Sequence, residues 1–497
     1  MSLIVYVIIA LYLIAALYIG HLTSKNSTAV DYMAAGQNNP YWVVGAGYIA
    51  EFLSVSSFLG IVGIIYAQGF MPNGAYVGSV IGYIGCLAIF GPLLRRYGEF
   101  TIPDYLGARF DSNLVRGFSA LLIFVGYLLY ISVQLIGVAL LLQLVFDMPY
   151  WVGVLISGGI VVIYTFLGGM KATAYVDVFQ LFFAWISAAI IICVAVFRGG
   201  GMINIVDQIE KYYPTFLTND AGLGNHWTVW SLIFIWIFGT LARADTVSRV
   251  FLAKSEREVY KAVIFVTPFI WAASLMFFFL GMAGKLLIPG LEGTDAESIY
   301  LIVAQEWVPP VITGIAFAGL LATAQSTASG QLMVSSLAIG RDIYGKIIGP
   351  IIKKRAITES EMVKATKFAL IVMSVITVGI AVLKLSWITT FTNLSAATTG
   401  PAFLVTWLGG FFWKRSTKTG AVLALIVGAV LGSYTFLSGF SIPSMPWLVA
   451  PVFTIIVTAI AFVIGSYIGK PSEKSLAVFN ELKEKTLGKS ENKNIAS

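Results

Sequence analysis

Four clusters of polar side chains interrupt stretches that are otherwise apolar, and each has residue types suited to holding a small ion or solute. Within residues 41–70, YWVVGAGYIAEFLSVSSFLGIVGIIYAQGF, Glu51, Ser54, Ser56 and Ser57 fall close together, flanked by Gly45, Gly47, Gly60 and Gly63. The stretch is long enough to cross a bilayer, for which about 20 apolar residues suffice. A carboxylate at mid-membrane is costly and marks a candidate functional site. Where a spanning helix unwinds, its freed carbonyls need a partner, and a bound cation is one that transporters use. Taken alone, the same residues also read as a glycine-rich packing helix whose serines bond back to their own carbonyls.

The second cluster, FAGLLATAQSTASGQLMVSS, sets Thr323, Gln325, Ser326, Thr327 and Ser329 in an apolar helix. The i, i+3, i+4 spacing puts Thr323, Ser326 and Thr327 on one face, so that several oxygens converge as a small hard cation requires. The third is Asp177, in GGMKATAYVDVFQ, about one turn inside a predicted cytoplasmic helix end. By itself it reads as an interfacial cap or a partner of Lys171. The fourth is WTVWSLIFIWIFGTLARADTVSRVF, where Gly239 and Thr240 interrupt a span and Arg243 and Asp245 follow.

These clusters sit in a chain of 497 residues that is 58% hydrophobic and 11% charged, with a mean hydropathy of +0.87. Soluble domains carry roughly 25% charged residues, so this is an integral membrane protein, all-α and polytopic. Apolar windows at about 2–20, 41–68, 76–94, 116–145, 149–168, 173–197, 229–248, 260–287, 309–339, 364–384, 386–413, 419–438 and 447–469 predict thirteen spans. Residues 470–497 are charged and apolar-poor, which predicts a cytoplasmic tail, part helix and part disorder.

With the N-terminus outside, the odd-numbered connections and the tail hold 27 of the 31 Lys and Arg, leaving Arg198, Lys211, Lys285 and Lys384 for the other side. That bias predicts N-terminus out and C-terminus in. The net charge of +7 is then loop bias and gives no reason to expect nucleic-acid binding. Cys86 and Cys193 lie in apolar spans and suggest neither a disulfide framework nor a metal site. His21 and His226 are too far apart to form a cluster. The first span lacks a basic leader and a cleavage site and reads as a retained helix. In the connection RRYGEFTIPDYLGARFD, Pro103 and Asp104 suggest a turn, and Arg109 and Asp111 a charged surface.

The motifs VDYMAAG, SSFLGIVG, FTIPDYLGARF, FLGGMKATAYVDVFQ, SRVFLAKS, QSTASGQLMVSSLAIGRDIY and GFFWKRSTKTGA, in order from residue 30 to about 430, resemble the sodium:solute symporter family. The resemblance implies the LeuT-like fold, a 5+5 inverted repeat whose first helix in each repeat is broken at mid-membrane. The repeats would cover about 41–198 and 229–413 of a transporter domain 1–469, with the helices 2–20, 419–438 and 447–469 outside them. It also implies a sodium site formed by the carbonyls of Ala50, Leu53 and Thr323 with the side chains of Ser326 and Thr327. A second sodium site in some relatives maps onto Asp177, Ser326 and Ser329, but Gly330 stands where those relatives have another serine.

Tyr130 and Trp236 match positions that line the solute pocket in the proline branch, and Glu51 and Ser54 of the broken span are further candidates for solute binding. Arg243 replaces a glutamine of that branch. A guanidinium there could clamp a carboxylate bidentately, or could pair internally with Glu51 or Asp245. The expected function is Na+-coupled uptake of a small organic anion such as a monocarboxylate, with proline, pantothenate or sugar as the alternative. SFLGIVGIIYAQGF favours the acetate branch and STASGQL the proline and pantothenate branches. A passive channel would want a ring of repeated groups, and an enzyme or sensor a catalytic cluster or output domain; neither pattern is visible. The partners expected are Na+, a small solute and the bilayer, with no obligate protein partner evident.

Overall fold

The computed structural model describes all residues except 26–27, 70–72, 99, 219–226, 384–387, 440–448 and 487–497. The long helices are α1 (Leu3–Ser24), α2 (Tyr41–Phe52), α3 (Ser56–Gln68), α4 (Gly74–Tyr97), α5 (Asn113–Phe146), α6 (Tyr150–Arg198), α7 (Val229–Phe251) and α8 (Glu256–Leu287). They continue as α9 (Pro310–Lys353), α10 (Glu359–Leu383), α11 (Ile388–Phe412), α12 (Lys418–Leu437), α13 (Ala450–Ile468) and the tail helix α14 (Glu473–Thr486).

Ten of these are long and apolar enough to span a bilayer, and the bent pair α2–α3 makes an eleventh, fewer than the thirteen expected. The difference is local. At about 1.5 Å per residue, the 49 residues of α6 exceed twice a bilayer core. α6 takes in both expected spans 149–168 and 173–197, and Gly169 (φ 58°, ψ −152°) leaves the helical path between them. α11 covers the span expected at 386–413, but its first half, ITTFTNLSAATT, is too polar for it to be among the ten.

Both predicted breaks are present. α2 and α3 meet at 43°, and Leu53 departs from helical geometry (φ −77°, ψ 76°). The side chain of Gln134 on α5 enters the gap and accepts from the Val55 backbone N–H at 3.1 Å, satisfying a donor that the break frees. α7 breaks at Ala242–Arg243 rather than at Gly239–Thr240. Gly239 is used for close packing instead: a Cβ there would strike Ala396 of α11.

α9 is buried along most of its length and packs chiefly on α6. Gln325, grouped by sequence with the hydroxyl cluster, points the other way: its Oε1 accepts from Tyr12 (2.8 Å) and Gln180 (3.2 Å), tying α1 to the core. Gly74, Gly78 and Gly82 form an i, i+4 stripe on α4, and side chains there would collide with Val229, Ile233 and Thr240 of α7. The two backbones therefore touch, as small residues permit between membrane helices.

The segment after α4 is a helix, Ile102–Arg109, capped by the Thr101 hydroxyl, rather than a turn; Asp111 is exposed as expected, but Arg109 is not. Arg109 is fully buried: it donates to the carbonyls of Gly410 and Trp413 and to the hydroxyls of Ser416 and Ser475, the last on α14. The tail is thus helical and docked where it is described. Arg109, Arg243, Arg249 and Arg341 are all buried.

Candidate functional site

The break at Leu53 turns the last carbonyls of α2 toward α9. Ser326 Oγ lies 3.1 Å from both the Ala50 and the Thr323 carbonyls, so the hydroxyl bridges the two helices. Thr327 Oγ1 lies 3.5 Å from the Glu51 carbonyl. Ala50, Leu53, Thr323, Ser326 and Thr327 are each at most 1% exposed. Ala50, Thr323, Ser326 and Thr327 therefore gather as the sequence led one to expect, as uncharged oxygens at the negative end of a helix. Leu53 is placed at the break itself. The donor set suits a small hard monovalent cation.

The residues expected to form a second cation site are engaged within the protein. Asp177 Oδ2 is 2.6 Å from Arg249 Nη1, and Ser329 gives its hydroxyl proton to the Ser326 carbonyl at 3.1 Å. Arg249 can reach Asp177 because position 330 is glycine; a Cβ there would collide with the guanidinium. Lys171 pairs instead with Asp31 at 3.4 Å, so the alternative reading of Asp177 as its partner is also set aside.

Arg243 is committed internally as well. Its Nε reaches both Asp245 oxygens at 2.7 and 3.0 Å, and its Nη2 reaches Oδ2 at 2.7 Å. Nη1 donates to Tyr83 at 2.9 Å and, more weakly, to Tyr130 at 3.4 Å, and the guanidinium lies over the Tyr130 ring at 4.4 Å. Glu51 stands farther off, 3.5 Å from Arg243 Nη2 and 3.7 Å from Arg249 Nε. The main partner of Arg243 is thus Asp245, and the fork that could clamp an anion is already filled. Asp245 is the hub: it also accepts from Tyr127 (2.7 Å) and from Gln331 (3.0 Å).

Between the broken helices and α4, α5 and α7 lies a small cavity. Phe52, Ser54, Ser56, Ser57, Tyr76, Ser79, Tyr83, Tyr130 and Trp236 line it with Ile61. Ser54, Tyr130 and Trp236 are where the sequence reading places solute contacts. Glu51 and Arg243 are not, lying behind the layer of tyrosines. The cavity wall is polar without a charged side chain. Trp236 Nε1 is held by Asn393 of α11 at 2.6 Å, and Ser56 lies 3.4 Å from Thr392. Tyr83, Tyr127, Arg249 and Gln331 were not singled out from sequence; Arg249 lies in SRVFLAKS, where it reads as one more loop cation.

A profile of the sodium:solute symporter family matches residues 32–428. The osmoregulated proline transporter of Bacillus subtilis (strain 168) is 27% identical over 97% of this chain and 99% of its own length. The high-affinity proline transporter of the same strain is 26% identical over 94% and 99%. A sodium/proline symporter of Staphylococcus aureus (strain bovine RF122 / ET3-1) is 26% identical over 86% and 84%. Among solved structures, a Na+-coupled sialic acid symporter, substrate-bound and outward-open, superposes with a TM-score of 0.79 at 22% identity, over 95% of this chain and 99% of that one. A nucleobase-cation-symport-1 family transporter in a closed conformation gives 0.58 at 14% identity, over 90% and 98%. The fold is shared with both, and the chain belongs to the sodium:solute symporter family, a multi-pass membrane protein that couples movement of a solute to Na+.

Proposed function

We propose that the protein takes up a small zwitterionic amino acid, proline first among candidates, with one Na+ bound by Ala50, Leu53, Thr323, Ser326 and Thr327. The observation that carries this reading is the uncharged wall of the cavity between the broken helices. A net-neutral solute needs no net countercharge there, whereas a monocarboxylate would need a cation, and the guanidinium of Arg243 is already chelated by Asp245. Hydroxyls of Ser54, Ser56 and Ser57 offer hydrogen bonds to the polar groups of the solute. The faces of Tyr76, Tyr130 and Trp236 suit a compact ring carrying an ammonium group. The relatives named as proline transporters support the same choice, and it replaces the organic anion favoured by the sequence alone.

Alternating access around this site would proceed with the N-terminus outside and the C-terminus inside, through repeats at about 41–198 and 229–413 of a transporter domain 1–469. The test is uptake into proteoliposomes of labelled L-proline, acetate, pyruvate and pantothenate under an inward Na+ gradient, with K+ replacing Na+ as control. Na+-dependent proline uptake is expected. Acetate or pyruvate uptake without proline uptake would return the reading to a monocarboxylate.

A further inference from the structure

Away from the cavity, the helices α5, α11 and α12 enclose a hollow on the outer wall of the protein. α12 rests backbone to backbone on α11, because a Cβ at Gly428 would strike Ala402 and one at Gly432 the Ala397 carbonyl. α5 meets the same helix where the Ser395 hydroxyl donates to the Gly126 carbonyl at 2.7 Å. Between these two contacts, Phe118, Leu121 and Val125 of α5 stand across a groove from Ile426, Ala429 and Val430 of α12. The groove has a volume of about 490 Å³. At about 30 Å³ each, the share of a water molecule, that is room for roughly sixteen methylene-sized groups.

The lining gives a polar molecule little to hold. The hydroxyls at the floor, Thr398 and Ser433, are engaged with one another at 2.7 Å and with the carbonyls of Leu394 and Ala429. The rest of the wall is apolar. Both walls, α5 and α12, are long and apolar enough to span a bilayer, so the groove opens into hydrocarbon rather than water. The two helices start at the same end of the molecule, since Arg109, just before α5, donates to the Gly410 and Trp413 carbonyls just before α12. From Phe118 to Val125 the groove lies about 8–18 Å along α5, and Ile426 lies about 12 Å along α12. It therefore belongs to the leaflet at that end, the cytoplasmic one in the orientation proposed above.

A charge stands over the mouth. Lys418 is the first residue of α12 and precedes Val422, Leu425 and Ala429 by the four, seven and eleven residues that keep one helix face. Its side chain is exposed, and among the described residues it forms no ion pair. We propose that the groove binds an anionic phospholipid of this leaflet, its acyl chains in the hollow and its phosphate at Lys418. The interfacial layer of a bilayer is about 5–8 Å deep on each side, so a phosphate held at Lys418 delivers the chains to the mouth of the groove. The site is separate from the cavity between the broken helices and does not depend on which solute is carried.

The test is native mass spectrometry of the full-length protein, released from detergent micelles that contain equal amounts of phosphatidylglycerol and phosphatidylcholine. The wild type should keep one phospholipid, with phosphatidylglycerol preferred roughly fivefold, the effect of one lysine near a membrane surface. Lys418→Gln should abolish the preference while a lipid of either kind is still held. Ala429→Phe fills the hollow without altering the charge and should lower occupancy by both lipids roughly tenfold or more, since every methylene kept out of the groove loses its burial. If Ala429→Phe does not fold, Val430→Trp fills the same hollow from its exposed rim and serves in its place. A wild type that keeps no lipid, or an adduct that persists when the hollow is filled, would overturn the proposal. A preference unchanged in Lys418→Gln would overturn the place given to the phosphate. A dimer in light scattering that filling the hollow turns into a monomer would also overturn it, and would assign the groove to a second copy of this chain.

Discussion

Replacing Arg243 by glutamine removes the cation from a pair whose side chains are 5% and 0% exposed, leaving Asp245 charged in the interior. The three contacts to Asp245 go at once, together with the hydrogen bond to Tyr83. Breaking a buried pair by removing one partner costs about 3–5 kcal/mol, most of it the desolvation of the orphaned charge. Arg243→Gln should therefore express poorly and melt well below wild type in fluorescence-detected size-exclusion assays. Arg243→Gln with Asp245→Asn removes both charges and should recover most of the loss, with a coupling term of up to about 3 kcal/mol between the two sites. Because Arg243 lies behind the cavity lining, the well-folded double variant should bind solute within a few fold of wild type. An Arg243→Gln variant with wild-type melting and solute affinity at least tenfold weaker would refute this reasoning and restore the guanidinium as a solute clamp.

Ser326→Ala and Thr327→Ala should each raise the Na+ concentration for half-maximal uptake with normal amounts of protein in the membrane; unchanged Na+ dependence in both would remove the ion site. Reversal-potential measurements should give one Na+ per solute, because Arg249 fills the place of a second; each charge moved inward gains about 2.3 kcal/mol per 100 mV. Gly330→Ala pushes a methyl into the Arg249 guanidinium and should destabilise by about 1–3 kcal/mol, seen as a lower melting temperature. Arg109→Ala should free α14, which limited proteolysis would detect as new cleavage within 473–486.

The broken span α2–α3 was legible because its signals are local: a carboxylate, hydroxyls and glycines crowded into one apolar stretch. The α9 ligand face was legible from helical spacing alone. The partners of the charges were not, because they are set by which helices meet. Arg249 follows its motif directly into a charged loop, and nothing nearby in sequence shows that it is buried 2.6 Å from Asp177 on α6. Arg243 illustrates a different limit. Its chemistry permits both a solute clamp and an internal pair, and the choice depends on the turn at the α7 break that aims it at Asp245. The number of helices that pass on length and composition differs from the thirteen expected where hydropathy is least informative, at the kinked α6 and the hydroxyl-rich α11.

The glycine stripe that brings α4 and α7 into backbone contact limits how this machine can move. Helices that touch through Gly74, Gly78 and Gly82 have no side-chain cushion along which to slide, and any rotation of one drives Val229, Ile233 or Thr240 into the other. The pair must travel as a single rigid strut, and Gly239 against Ala396 and Gly400 ties α11 to it in the same way, so the relative displacement that opens the cavity to one face and then the other has to fall at another border, toward α5. A covalent staple across the α4–α7 seam should leave turnover intact, whereas the same staple from α7 to α5 should stop it.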